Sequence, residues 1–311
     1  MMLSRVAERL YWMARYLERC EDTARLVSAY THLILDLPRG AEPGWHVLID
    51  TFDSQSRFAK RYRKSTERNV IKYLLVDTDN ASSIPFAIKA ARENVRTTRD
   101  VLPAHAWELV NELQLYASDV GDAVLARTPR FDFLEHVIAK NQQLNGLLHT
   151  SVTRDHAYWF IILGQLIERA DMTSRVLRVA TQAIDSHRGH SLPELPLLWA
   201  NLLKSLSATA AYRRRVGPGV EPNEVIEFIL TQQRFPRSII YCLDCIEETA
   251  GHLKAPAGLL RSLRHIVTTV QHYRPDIESP GKLYAMIEKL QAGLGDIDSS
   301  IQELWFAADL K

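Results

Sequence analysis

Leu3-Ser4-Arg5-Val6-Ala7-Glu8-Arg9-Leu10-Tyr11-Trp12-Met13-Ala14-Arg15-Tyr16-Leu17-Glu18-Arg19 opens a chain of 311 residues, and its pattern decides the fold class. Apolar residues fall at Leu3, Val6, Leu10, Met13 and Leu17, and the series continues through Cys20, Ala24 and Val27. Steps of three and four keep one stripe of a helix turned toward a core. A long helix is predicted over 3–36. It must stop at Pro38-Arg39-Gly40-Ala41-Glu42-Pro43-Gly44, because two prolines and two glycines cannot be threaded into continuous helix.

Working outward, the same punctuation divides the rest of the first half into helices over 45–63, 67–76, 84–101, 104–126 and 131–150. Ser82-Ser83 before Pro85 supplies a cap and an opening turn, while Pro103 and Pro129 mark further boundaries. No segment alternates with a period of two and no glycine-rich hairpin signal occurs. The predicted fold class is all-α.

A shift of 150 residues lays Glu18-Arg19-Cys20-Glu21-Asp22-Thr23-Ala24-Arg25-Leu26 over Glu168-Arg169-Ala170-Asp171-Met172-Thr173-Ser174-Arg175-Val176. A shift of 155 lays Val70-Ile71-Lys72-Tyr73-Leu74-Leu75 over Val225-Ile226-Glu227-Phe228-Ile229-Leu230, and Ser83-Ile84 over Ser238-Ile239. The second half then repeats the plan: helices over 155–186, 197–215, 224–232, 237–253, 257–273 and 281–306, with loops from Gly189 to Pro196 and from Gly217 to Pro222. The expectation is a tandem-duplicated helical bundle, residues 1–150 and 151–311, about six helices per half. No long polar linker lies near residue 150, so the halves are expected to merge into one globular unit about a pseudo-two-fold axis.

Composition narrows the function classes. The chain is 46% hydrophobic and 24% charged, with a formal net charge of +1. Nonspecific nucleic-acid binding needs a one-sided cationic excess, so nucleic acid is not expected as a partner. Three cysteines make no disulfide framework and indicate a reducing compartment. The first residues read as mature helix rather than a signal peptide, and apolar runs such as Phe160-Ile161-Ile162-Leu163 are far below the ~18 residues of a membrane span. A cytoplasmic protein without a membrane segment is expected.

The residues best placed to carry chemistry are the repeated pairs Glu18-Arg19 and Glu168-Arg169, with Arg25 and Arg175 two turns beyond. Three readings fit them. A carboxylate beside a guanidinium at the rim of a core can fix a charged ligand or act as a general base. The same residues can be an ordinary lattice of pairs three and four apart, together with Arg15, Glu21 and Asp22. Buried between the halves, they would specify how the repeats dock. Glu18, Glu21, Glu168 and Asp171 resemble the carboxylates of dimetal bundles, but no His follows either Glu by three residues, so neither metal nor cofactor is expected.

Cys242-x-x-Cys245 falls inside a helical run and reads as core packing. The basic runs Arg57, Lys60, Arg61, Arg63, Lys64 and Arg213-Arg214-Arg215 complement the carbonyls at helix C-termini, or offer an anionic partner a patch. Arg92, Asn94, Arg96 and Arg99 are secondary candidates, since the equivalent stretch of the second half differs. There is no phosphate loop, Gly-x-Ser-x-Gly elbow or His-Glu-x-x-His, so no motif points to an enzyme.

The opening segment, with Ala91-Arg92-Glu93-Asn94 and Leu166-Ile167-Glu168-Arg169-Ala170-Asp171, resembles the bacterial alpha-E proteins across nearly the whole chain. Cys20 stands where a small residue such as Ala is expected. The resemblance implies a wholly helical protein whose Glu-Arg motif corresponds to Glu18-Arg19 and Glu168-Arg169. It also implies a place beside a circularly permuted ATP-grasp protein and a transglutaminase-like protein, and so a role near ATP-dependent peptide-bond formation or peptide modification. Two functions are carried forward: a non-catalytic helical partner of such a system, and a ligand-binding or catalytic bundle using the Glu-Arg pairs.

Overall fold

The structure, a computed structural model, describes residues 4–38, 44–185, 195–277 and 279–307, without the side chains of 182–185 and 195. The segment Met1 to Leu3, the loop residues 39–43 and the Gly189 to Glu194 part of the second expected loop lie outside the described residues. Every regular element among the described residues is helical. The first half contains α1 (Ser4–Asp36), α2 (His46–Thr51), α3 (Gln55–Ala59), α4 (Glu67–Leu75), α5 (Ile84–Arg96), α6 (Ala104–Val120) and α7 (Arg127–Ser151). The second contains α8 (His156–Asp185), α9 (Leu195–Ser205), α10 (Thr209–Arg215), α11 (Pro222–Thr231), α12 (Ile239–His252), α13 (Ala257–His272) and α14 (Pro280–Trp305).

Two expected helices are broken. The helix predicted over 45–63 is α2 and α3, and the one over 197–215 is α9 and α10. In each break one non-glycine residue takes the left-handed conformation, Asp53 at φ 48° and Ser207 at φ 53°. The amide of Ser54 then donates to Ile49 O and that of Ala208 to Leu203 O, closing the same kind of C-terminal turn. Glycine is the usual signal for that turn, and neither site has one. The helices over 84–101 and 104–126 also end early, at Arg96 and Val120, and pass into short 3-10 turns. Ser83 and Ser238 behave as helix caps: each hydroxyl accepts from the amide three residues on, Phe86 and Tyr241, and donates back to a carbonyl, Asp77 or Gln232.

The long helices α1 and α8 cross at the centre and support everything else. Around α1 pack α5, α7 and α9, while α12, α14 and α2 pack on α8. The second helix of each half therefore lies against the first helix of the other. One apolar cluster runs through both halves, from Leu17 and Ile88 to Ile161, Leu243 and Ile297. At the crossing, a Cβ on Gly164 would sit 2.3 Å from the carbonyl oxygen of Tyr11 and 3.1 Å from Ala14 Cβ. Only glycine lets the two backbones approach this closely. No helix among the described residues is long and apolar enough to cross a membrane.

Candidate functional site

One turn past the crossing, the Glu-Arg pairs of α1 and α8 exchange partners. Arg169 grips Glu18 with two parallel bonds, Nε to Oε1 at 2.7 Å and Nη2 to Oε2 at 2.8 Å. Arg19 grips Glu168 in the same way, at 2.5 and 2.9 Å. Each glutamate is only 1% exposed. Two-pronged guanidinium-carboxylate contacts of this kind are strong and fix orientation as well as distance.

Each glutamate has a further cation. Arg15, one turn before Arg19, donates Nε to Glu168 Oε2 at 2.8 Å and holds Asp298 of α14 at 2.8 Å through Nη1. Tyr11 donates its hydroxyl to the same Asp298 oxygen. On the other side Arg237, which immediately precedes the cap Ser238, lies 3.3 Å from Glu18 Oε1 and 3.3 Å from Glu21, and also donates to Asp22. Arg25 and Arg175 close the two ends. Arg25 binds Glu21 on its own helix and donates to Ser207 Oγ at 2.5 Å, whereas Arg175 binds Asp171 and donates to Asp53 at 2.5 Å. Each therefore clasps the left-handed residue in the broken second helix of the opposite half.

The electrostatics of the two glutamates are alike, and those of their neighbours differ. Burial disfavours the ionised Glu168, but Arg19 and Arg15 outweigh it and hold its pKa down at about 2. Glu18 is likewise lowered against burial by Arg169 and Arg237. Asp22 goes the other way: burial pushes it up to about 7, because Arg237 is shared with Glu18 and Glu21, whose charges raise it further. Its Oδ2 is buried with no hydrogen bond.

All six primary candidates, Glu18, Arg19, Arg25, Glu168, Arg169 and Arg175, thus fall in a network of adjacent ion-pair clusters along α1 and α8, with the two glutamates buried and the four arginines partly so. Four clefts among the described residues are lined by other residues. Among the secondary candidates, Arg92 donates to Asn111 and lies 4.8 Å from the Trp107 ring, over which Arg99 also lies at 3.8 Å. Arg96 forks Glu93 at the surface, and Asn94 lines a groove beside α1. These four do not join the network. Arg237 and Asp298 were not among the expected residues; the one sequence signal for Arg237 is its place directly before a helix cap.

Burial pushes the Cys20 and Cys242 thiols up to about 12, and both are packed in the core. No group of three or more His, Cys, Asp or Glu side chains among the described residues is arranged to hold a metal ion.

The family model that matches residues 2–306 is Alpha-E, described as "A predicted alpha-helical domain with a conserved ER motif". The chain belongs to the Alpha-E family. Four Glu-Arg dipeptides occur in it, at 8–9, 18–19, 67–68 and 168–169, and those at 18 and 168 bind each other's partner. Similar curated proteins include an uncharacterized protein of Mycobacterium bovis, 23% identical over 285 residues covering 84% of this chain and 31% of its own length. An uncharacterized protein of Mycobacterium tuberculosis is 22% identical with the same coverage. This chain thus spans about a third of the length of the curated relatives it matches. No solved structure matches it.

Proposed function

We propose that the protein is a non-catalytic helical partner of an ATP-grasp and transglutaminase-like peptide ligation or modification system, and that its Glu-Arg motif is an internal joint. One observation carries this: both carboxylate oxygens of Glu18 and of Glu168 are already bonded to arginines of the other long helix. A general base or ligand anchor needs an open space beside it where a reacting group fits, and both glutamates are buried against these arginines. In the longer mycobacterial relatives the matched stretch is joined to other sequence, as suits a unit that works beside further domains.

On this reading the chain is a tandem duplication, residues 1–150 and 151–311, merged about a pseudo-two-fold axis and working in the cytoplasm. Support comes from the order of elements, the paired breaks at Asp53 and Ser207, the paired caps Ser83 and Ser238, and the exchange of arginines between α1 and α8. Affinity purification of the tagged chain from its native host, with mild crosslinking, tests the function. Recovery of an ATP-grasp or transglutaminase-like protein is expected; recovery of neither overturns the proposal. If Glu18→Gln and Glu168→Gln abolish the cellular phenotype while the protein stays folded, the Glu-Arg pairs act chemically and the joint reading fails.

A further inference from the structure

The turn that joins α3 to α4 carries charge of one sign. Residues 55–68 hold six cations, Arg57, Lys60, Arg61, Arg63, Lys64 and Arg68, and one acid, Glu67. The whole chain has a formal net charge of +1 and this stretch +5, so the other 297 residues together carry −4. All six cations are exposed.

The acids close to this turn already have partners. Glu67 is held by Arg127 at 3.1 Å and by the buried Arg130 at 2.8 Å, both from α7. Asp77 and Asp79 both hold Arg61, the latter at 3.0 Å. Asp53 is taken by Arg175 and Arg178, and Asp50 accepts from Gln55. Arg57, Lys60, Arg63, Lys64 and Arg68 make no ion pair and no side-chain hydrogen bond among the described residues, so none of them serves a helix carbonyl. Counting Asp50, Glu67, Asp77 and Asp79 together with the arginines that hold them, cations still exceed acids by four. At the end of α10 the position is different: Arg215 lines one cleft with Glu224 and Glu227.

The backbone beneath these cations is fixed. Phe58 is buried, Tyr62 stacks on it at 5.0 Å, and Tyr73 meets it edge-on at 5.2 Å. The Asn69 carboxamide donates to Lys64 O at 2.9 Å, and Thr66 caps α4. A charged surface held in place before binding loses less freedom when its partner arrives.

We infer that the α3–α4 turn docks a short segment of another protein rich in Asp and Glu. Carboxylates pair with guanidinium and ammonium groups that have no internal partner, and a short segment meets the turn alone. A membrane or a nucleic-acid duplex extends past the turn to a remainder whose net charge is negative. No large exposed apolar residue lies in 55–68 to enter a bilayer, and the Phe58 and Tyr62 rings are occupied with each other rather than free to stack on bases. The inference rests on the partner reading in that the acidic segment belongs to another protein.

Fluorescence anisotropy of a labelled deca-glutamate peptide, titrated with the full chain at low ionic strength, tests it. Binding is expected, with release at about 1 M salt, where the Debye length falls to about 3 Å. Arg63→Glu with Lys64→Glu should weaken binding at least about tenfold, and Arg213→Glu with Arg214→Glu by less than about twofold. Unchanged thermal unfolding of both double variants shows intact folds, and Arg63→Gln with Lys64→Gln serves in place of the reversal if that alone lowers the midpoint. Absence of binding, equal loss in the two pairs, or tighter binding of phosphatidylserine vesicles or duplex DNA at the same salt overturns the inference. Recovery of a ligase or transglutaminase-like protein undiminished by the Arg63 and Lys64 reversal sinks the docking turn and leaves the partner reading standing. Peptide binding that obeys the variants in a chain that recovers neither protein sinks the partner reading alone.

Discussion

Glu168 and Glu18 hold the same bidentate arginine and differ in where the third charge comes from. For Glu168 it is Arg15, one turn earlier on the helix that supplies Arg19; the residue at the corresponding place on α8 is Gln165, which donates to Asn145 instead. For Glu18 it is Arg237, from the turn before α12, where the first half has Ser82. Arg15 brings one further acid, Asp298, and Arg237 brings two, Glu21 and Asp22. The motif therefore specifies a crossed pair, and each end completes its charge balance with a different residue.

The largest effect should come from the crossing that holds both ends in place. Gly164→Val sets a branched side chain where even a Cβ would lie 2.3 Å from Tyr11 O. The two helices must separate, and a loss of at least about 4 kcal/mol is expected in urea unfolding. A near-normal midpoint would mean that α1 and α8 can shift without losing their exchange of arginines.

Removing the glutamates compares the ends directly. Glu168→Ala strands Arg19 and should cost about 3–5 kcal/mol. Glu18→Ala strands Arg169 but leaves Arg237 with Asp22 and Glu21, and relieves the repulsion that raises Asp22. Its loss should be smaller by about 1 kcal/mol or more. The reverse order in chemical denaturation would show that Arg237 depends on Glu18 more than on its other acids.

The ends should also respond to pH in opposite senses. Asp22 at about 7 lies above its unfolded value, so the folded state binds this proton more readily; its contribution is present below about pH 4 and is lost as pH rises toward 7. Glu168 at about 2 lies below its unfolded value, so its contribution is present above about pH 4.3 and is lost as pH falls toward 2. Asp22→Asn should flatten stability between pH 4 and 7, and Glu168→Gln should flatten only the acid limb, each by on the order of 1–3 kcal/mol across its window. Unfolding midpoints measured across the pH range decide it, and a single common slope change would defeat the distinction. The smallest effects belong to Arg25→Ala and Arg175→Ala, about 1 kcal/mol each, since these clasps are partly exposed and the acids they leave keep another cation, Glu21 with Arg237 and Asp53 with Arg178.

How much of this was legible in the sequence varies by residue. The long helices were, because burial of one face imposes a period that any window of α1 or α8 displays. The breaks at Asp53 and Ser207 were not: both lie in runs with helical periodicity, and the arginines that hold the two turns, Arg175 and Arg25, lie far away in the chain on the opposite long helix. Glu18, Arg19, Glu168 and Arg169 could be picked out by their recurrence, and docking of the halves was one of three readings open for them. Arg237 could not be picked out, since its nearest acid lies 215 residues away in the chain.

The sequence by itself determined that the protein is helical, where most helices begin and end, and which Glu-Arg pairs recur, because periodicity, caps and prolines act over a few residues. Only the tertiary structure decided that each glutamate binds the arginine of the other long helix, that Arg15 and Arg237 complete the two ends, and that Gly164 lets the helices meet. Buried charges must find partners wherever the chain brings them, and that choice depends on distances in space that no local pattern encodes.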